Sequence, residues 1–141
     1  MTATRAELAD RLAGYDRLVE VGIGRRPAVA AALVDAGCTV VATDVFDAPV
    51  PDGVEFVRDD VVARADALDG PDDHPGDPYR VDAVYGLNLP AELQRPAREV
   101  AHAAGADFPF TTLGFEEPTI PVDRESVGRG TLYVARRPPR G

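Results

Sequence analysis

The 141-residue sequence has no lysine, no tryptophan and a single cysteine. One cysteine excludes an internal disulfide. Cys38 stands between Gly37, a helix-stopping glycine, and an apolar strand, a place where thiols are commonly buried in the core. No apolar run approaches the length of a membrane span, and the first residues lack the apolar stretch of a secretion signal, so a cytoplasmic protein is expected. Because lysine is missing, all 15 bases are arginine; they face 24 acids, for a net charge of −9. That balance argues against a nonspecific nucleic-acid binder, which needs a basic face.

An acidic, lysine-free surface resembles those of proteins from salt-loving microbes, where carboxylates hold water at the surface and salt screens their mutual repulsion. Apolar residues make up 45% and charged residues 28%, the composition of a folded chain. The length suits one domain on one core and leaves no room for a separate substrate domain. A single domain is expected over residues 1–136, with a loose tail at 137–141.

Thr4 with Glu7 forms a capping-box pattern, and Leu8, Leu12 and Tyr15 recur at helical spacing until Gly14 intervenes. "RLVEVGIG" then reads as a strand entering a glycine turn. "PAVAAALVDAG" reads as a helix opened by Pro27 and closed by Gly37, and "TVVATD" as a second strand. Strand, helix, strand in that order makes a parallel, right-handed unit. "GVEFVRDD" and "VDAVYGLNL" read as a third and a fourth strand, separated by a solvated loop from Asp69 to Arg80. A helix follows from about Ala91 to Ala104, with a restart expected near Arg95 because Pro96 cannot sit in an undisturbed helix interior. "ADFPFTTLG" reads as a fifth strand. No helix is expected between Gly114 and Gly130, and "TLYVAR" closes the domain as an antiparallel edge strand.

In an open parallel sheet, ligands bind beyond the carboxyl ends of the strands, where the winding direction reverses. The candidate residues fall at those ends. Glu20, Gly22 and Gly24 follow the first strand; Asp44 ends the second; Asp59 and Asp60 follow the third; Gly86 and Asn88 follow the fourth. Two glycines let a ligand approach the backbone, and the helix opened by Pro27 offers free amides and a positive dipole end. Asp44 lies where an acid must lie to accept hydrogen bonds from a ribose diol. The same pattern describes nicotinamide dinucleotide sites, so NAD is one candidate ligand. Glu20 points elsewhere: a carboxylate sits poorly beside a pyrophosphate, but well near a cofactor carrying an ammonium and a sulfonium.

These residues resemble the first motif of the class I methyltransferases, acid-x-Gly-x-Gly-x-Gly, met here by Glu20, Gly22 and Gly24. The resemblance implies S-adenosylmethionine as cofactor, with Asp44 on the ribose and Asp60 or Asp59 near the adenine amino group. "VEVGIG", "TDV", "VRDD" and "LPAELQRPAREVA", in that order, are similar to an archaeal group, uncharacterised protein family 0146, from about Leu18 to Arg136. The fold implied is a single α/β Rossmann-like methyltransferase domain: a mostly parallel sheet in order 3-2-1-4-5, a final antiparallel edge strand, and helices on both faces.

Two departures stand out. Arg26 occupies the third glycine's position, where a guanidinium could clamp the cofactor's methionine carboxylate; Arg25 is expected to pair on the acidic surface. "NLPA", from Asn88, is similar to the Asn-Pro-Pro-aromatic motif of amino-group methyltransferases without its second proline and its aromatic residue. Asn88 therefore reads first as a cap for the following helix and second as a substrate contact. His74, among Asp72, Asp73 and Asp77, lacks the spacing of a metal site, and neither it nor His102 is assigned a catalytic role. The expected function is S-adenosylmethionine binding with methyl transfer to an unknown acceptor. The alternatives are a catalytically silent binding or regulatory module and an NAD-binding protein.

Overall fold

A computed structural model describes residues 3–24, 26–70 and 73–137. The expectations for Arg25, Asp72 and residues 138–141 lie outside them. The chain order is α1 (Arg5–Leu12), β1 (Arg17–Val21), α2 (Ala28–Asp35), β2 (Thr39–Asp44), β3 (Val54–Arg58), α3 (Val61–Asp66), β4 (Ala83–Tyr85), α4 (Ala91–Ala103), β5 (Pro109–Phe110), β6 (Val122–Val127) and β7 (Gly130–Ala135).

Four strands form a parallel sheet in the order β3-β2-β1-β4, and β5-β7-β6 form an antiparallel one. Two isolated parallel bridges link the β4 region to the β5 region: Ala83 of β4 to Asp107, two residues before β5, and Gly86, just after β4, to Phe110 of β5. The strand order therefore reverses between β1 and β4, as in the expected order 3-2-1-4-5, but β5 takes the fifth place only through these bridges.

The alternation of β1 divides the core. Leu18 packs with Leu12, Ile23, Val29 and Leu33 on the face covered by α1 and α2, while Val19 and Val21 pack with Val61, Leu89, Val100, Phe108 and Phe110 on the face covered by α3 and α4. The capping box at α1 is present: Thr4 Oγ1 accepts from the Glu7 amide, and Glu7 Oε1 accepts from the Thr4 amide.

Three details differ from expectation. The last strand is antiparallel, as its hairpin-like connection requires, but it is not at the edge: β6 pairs along its outer side from Val122 to Val127. β6 alternates only weakly, with polar residues over most of its length, and it is held by backbone bonds to β7; this is the signature of an edge strand. Helix α4 runs without a restart through Pro96, because the missing bond would fall on the carbonyl of Glu92, an exposed residue of the first turn, where water can take its place. Cys38 is half-buried rather than in the core, its thiol donating to the Tyr15 carbonyl at 3.3 Å. Separately, Arg137 pairs with Asp107 at 2.9 Å.

Candidate functional site

The turn after β1 is built for close approach. Gly22 and Gly24 have φ of 73° and 54°, the left-handed region that glycine adopts without penalty. The amides of Gly22 and Ile23 donate to the Thr43 carbonyl at 2.9 and 3.1 Å, and the Gly24 amide donates to Asp44 Oδ2 at 2.8 Å. The turn is thus fastened to the end of β2. A Cβ on Gly22 would meet nothing within 4 Å, so the space beside the backbone there is open. No side chain caps the start of α2, where Pro27 is the N-cap.

Asp44 is half-buried and does two jobs within the chain. Besides Gly24, it receives the Phe46 amide on Oδ1 at 3.3 Å. A carboxylate accepts about four hydrogen bonds, so two sites are left for another donor.

Glu20 lies on β1 opposite Tyr85 of β4 and is only 1% exposed. Its Oε1 accepts from the Tyr85 hydroxyl at 2.7 Å. Burial pushes its carboxyl pKa up to about 7, against the opposing pull of the Tyr85 hydrogen bond. Tyr85 is raised in turn, first by its own burial and then by Glu20. The acid that sequence reasoning set at the mouth of the loop is therefore beneath it, between two central strands.

The two acids after β3 are engaged locally. Asp59 Oδ1 pairs with Arg64 at 2.8 Å, and its Oδ2 receives the hydroxyl of the fully buried Tyr79 at 2.5 Å. Asp59 thus ties α3 and the Asp69–Arg80 loop to the end of the sheet. Asp60 is the N-cap of α3: its Oδ1 accepts from the amides of Val62 and Ala63 at 2.9 and 3.4 Å.

Gly86 is buried where a Cβ would lie 2.9 Å from a methyl of the fully buried Leu89, which accounts for the glycine by packing. Asn88 does not cap α4, because the N-cap is Pro90 and no side chain bonds to the helix start. The chain crosses Asn88 at φ 50°, with its amide donating to Thr111 Oγ1 at 2.8 Å. The two-residue offset from the helix leaves the Asn88 side chain on the wall of a cleft instead.

That cleft, of about 840 Å³, opens where the strand order reverses. Arg26 comes to it from the turn after β1, Leu87 and Asn88 from the end of β4, Thr111 to Glu117 from the segment after β5, Tyr133 from β7, and Arg5 from the start of α1. A smaller depression at the ends of β2 and β3 holds Val45, Asp59, Asp60 and Arg64. Gly22, Gly24 and Asp44 stand together between α2 and β2. Sequence reasoning missed Arg5 and Thr111, which reach the cleft only through the packing of α1 and β5 on the central strands.

The family model for an uncharacterised protein family, UPF0146, matches residues 2–138. The chain belongs to UPF0146. A UPF0146 protein of Halobacterium salinarum is 49% identical over 127 residues, covering 89% of this chain and 91% of that protein. A UPF0146 protein of Archaeoglobus fulgidus is 36% identical over 104 residues, covering 72% of each. The fold is that of Rossmann-like methyltransferases. It matches human N-acetylserotonin methyltransferase in complex with S-adenosylmethionine with a TM-score of 0.57 at 11% identity, over 92% of this chain and 49% of that one. It also matches the S-adenosylhomocysteine-bound methyltransferase PaMTH1 of Podospora anserina with a TM-score of 0.55 at 10% identity, over 94% and 76%. This UPF0146 chain thus spans about half the length of the human enzyme. The [4+2]-cyclase SpnF is similar in fold as well, with a TM-score of 0.52 at 19% identity, over 82% and 47%.

Proposed function

We propose that this protein binds S-adenosylmethionine at the carboxyl ends of β1 and β2 and passes its methyl group to an acceptor held in the cleft beside β4 and β5. The observation that carries the reading is the left-handed Gly22–Gly24 turn, open on one side and fastened to Asp44 on the other. The residues present fit that cofactor. The open side of Gly22 leaves room against the backbone, Asp44 keeps acceptor capacity for a ribose diol, and the uncapped start of α2 favours a carboxylate. Arg26, on the cleft wall, grips the same carboxylate as a fork of donors. Asp60 keeps Oδ2 for the adenine amino group, whereas Asp59 is already held by Arg64 and Tyr79. Gly86 is given no cofactor contact.

Glu20 acts through its charge. When ionised beneath the turn, it lowers the potential where an ammonium and a sulfonium would lie, and it disfavours a pyrophosphate in the same place. The bound cofactor supplies a methyl carbon that an acceptor's lone pair attacks as the carbon–sulfur bond breaks, the bond pair staying on sulfur. The chain's part is to position the two reactants and exclude water, so no protein nucleophile is needed.

The second reading is a catalytically silent binding module, left open because this fold also serves a protein named as a cyclase. The solved structures of the two methyltransferases above hold S-adenosylmethionine or S-adenosylhomocysteine, which supports the sulfonium cofactor over NAD. Thermal shift in concentrated salt with S-adenosylmethionine, S-adenosylhomocysteine and NAD tests the choice. A ligand at about 100 times its Kd adds roughly 2.7 kcal/mol. Shifts with the first two and none with NAD are expected; a shift with NAD alone overturns the reading.

A further inference from the structure

The acceptor's chemistry can be drawn from the part of the cleft the cofactor does not use, an inference that rests on the S-adenosylmethionine reading. The cleft's volume of about 840 Å³ is in the range of small-molecule sites, about 300–1,000 Å³. Its charge is unusual for so acidic a chain. Six arginines elsewhere pair with acids: Arg11 with Glu125, Arg64 with Asp59, Arg80 with Asp77, Arg124 with Glu117, Arg136 with Asp123 and Arg137 with Asp107. Among the described residues, Arg5 and Arg26 form no ion pair, as is also true of Arg17, Arg58, Arg95 and Arg98, but only Arg5 and Arg26 of these line the cleft. Of the two acids on the opposite wall, Glu117 is neutralised by Arg124 at 2.6 Å. Glu116 is exposed at the rim, where water screens its charge.

The segment carrying those acids also presents apolar surface. Thr112 Oγ1 donates to the Glu116 carbonyl at 2.7 Å and the Glu116 amide donates to the Leu113 carbonyl at 3.1 Å, closing a turn that projects Leu113 and Phe115 outward. Leu113 is 57% exposed and Phe115 fully so, and Leu87 and Tyr133 continue the apolar lining inward. Scattered exposed apolar residues are ordinary; a run of them along one cleft wall is a mark of a binding surface.

We propose that the methyl acceptor is a small molecule with an apolar, ring-sized body and an anionic group, a carboxylate or a phosphate. The anion is held by Arg5, and the body lies against Leu113, Phe115 and Tyr133. Arg26 serves the cofactor's carboxylate, so Arg5 is the specificity-determining residue. Its guanidinium matches either anion in two-point fashion, whereas a lysine ammonium would act as a point charge.

The test uses benzoate, phenyl phosphate, benzyl alcohol and benzylamine as probes. Each is titrated by ligand-observed NMR with and without S-adenosylhomocysteine, at the lowest salt that keeps the protein folded. Benzoate or phenyl phosphate is expected to bind at least about tenfold more tightly than the alcohol or the amine, and whichever of the two binds better identifies the anion. Arg5→Gln, at an exposed helix start, is expected to remove that preference while leaving the Tm and the S-adenosylhomocysteine affinity unchanged. Arg5→Lys is expected to restore part of it. Equal binding of all four probes, tighter binding of benzylamine, or an anion preference that survives in Arg5→Gln overturns the proposal. Arg5-dependent anion binding by a protein that fails to bind S-adenosylhomocysteine supports the anion site and overturns its role as an acceptor site.

Discussion

The amide of Gly24 donates to Asp44 Oδ2 at 2.8 Å, so the glycine turn after β1 and the acid at the end of β2 form one unit. The two residues are 20 positions apart in the chain and become neighbours because β1 and β2 pair in parallel register, Val21 opposite Thr43. Asp44 therefore shapes the turn as well as offering oxygens to a ligand.

This coupling sets the expected outcome at both positions. Asp44→Ala removes the turn's anchor, costing about 1 kcal/mol of stability, and lowers S-adenosylhomocysteine affinity by more than tenfold in calorimetry. Gly24→Val places a branched side chain in the left-handed region, at a cost of about 1–2 kcal/mol, and abolishes binding by blocking the approach. Wild-type affinity in Gly24→Val would show that the loop is only a turn.

Glu20 gives the protein a pH dependence of definite sign. Its folded-state carboxyl pKa is raised from 4.5 to about 7 by burial, so the folded chain binds that proton more tightly than the unfolded chain does. The stabilisation is fully present below 4.5 and is lost as pH rises towards about 7, an interval worth on the order of 3 kcal/mol. Glu20→Gln removes this slope, which urea unfolding at a series of pH values measures. Binding of a cationic cofactor has the opposite dependence, strengthening as Glu20 ionises, and should lose that trend in the same variant.

The tip of the β6–β7 hairpin rests on α1. Gly128 has φ 58°, and a Cβ there would overlap the Glu7 carboxylate that closes the capping box. Gly128→Ala must displace Glu7 and hold alanine in the left-handed region, for an expected loss of about 1–3 kcal/mol. Chemical denaturation reads the loss; with the glycine turn untouched, S-adenosylhomocysteine affinity is expected to stay within about twofold.

Salt should raise stability. With 24 acids against 15 arginines, self-repulsion in the compact state falls as the Debye length shrinks from about 10 Å at 0.1 M to about 3 Å at 1 M. The Tm is expected to climb across that range and on into molar potassium chloride. A flat or falling Tm would remove the parallel with proteins adapted to salt.

Much of the fold could be read from the chain because its signals are local. Pro27 and Gly37 bracket α2, Thr4 and Glu7 open α1, and mostly apolar runs mark β1, β2 and β4, the one in β1 broken by Glu20. β6 escaped because its side chains are mostly polar and its partner is backbone. The paired glycines around Arg129 were the one cue to its hairpin. Helix α3 escaped because six residues are too few to show a period, although Asp60 ahead of Val61 was a legible cap.

By itself the sequence determined which residues stand at the carboxyl ends of the strands, since turn chemistry and apolar pattern act over a few residues. It could not decide what each side chain does there, because that depends on neighbours far away in the chain. Pairing of β1 with β4 buries Glu20 against Tyr85; packing of α3 and the acidic loop on β3 occupies Asp59 with Arg64 and Tyr79; the left-handed step at Asn88 turns an expected cap into a cleft wall. The docking of α1 beside the cleft brings in Arg5, a residue without any local mark, because burial and proximity are properties of the assembled sheet.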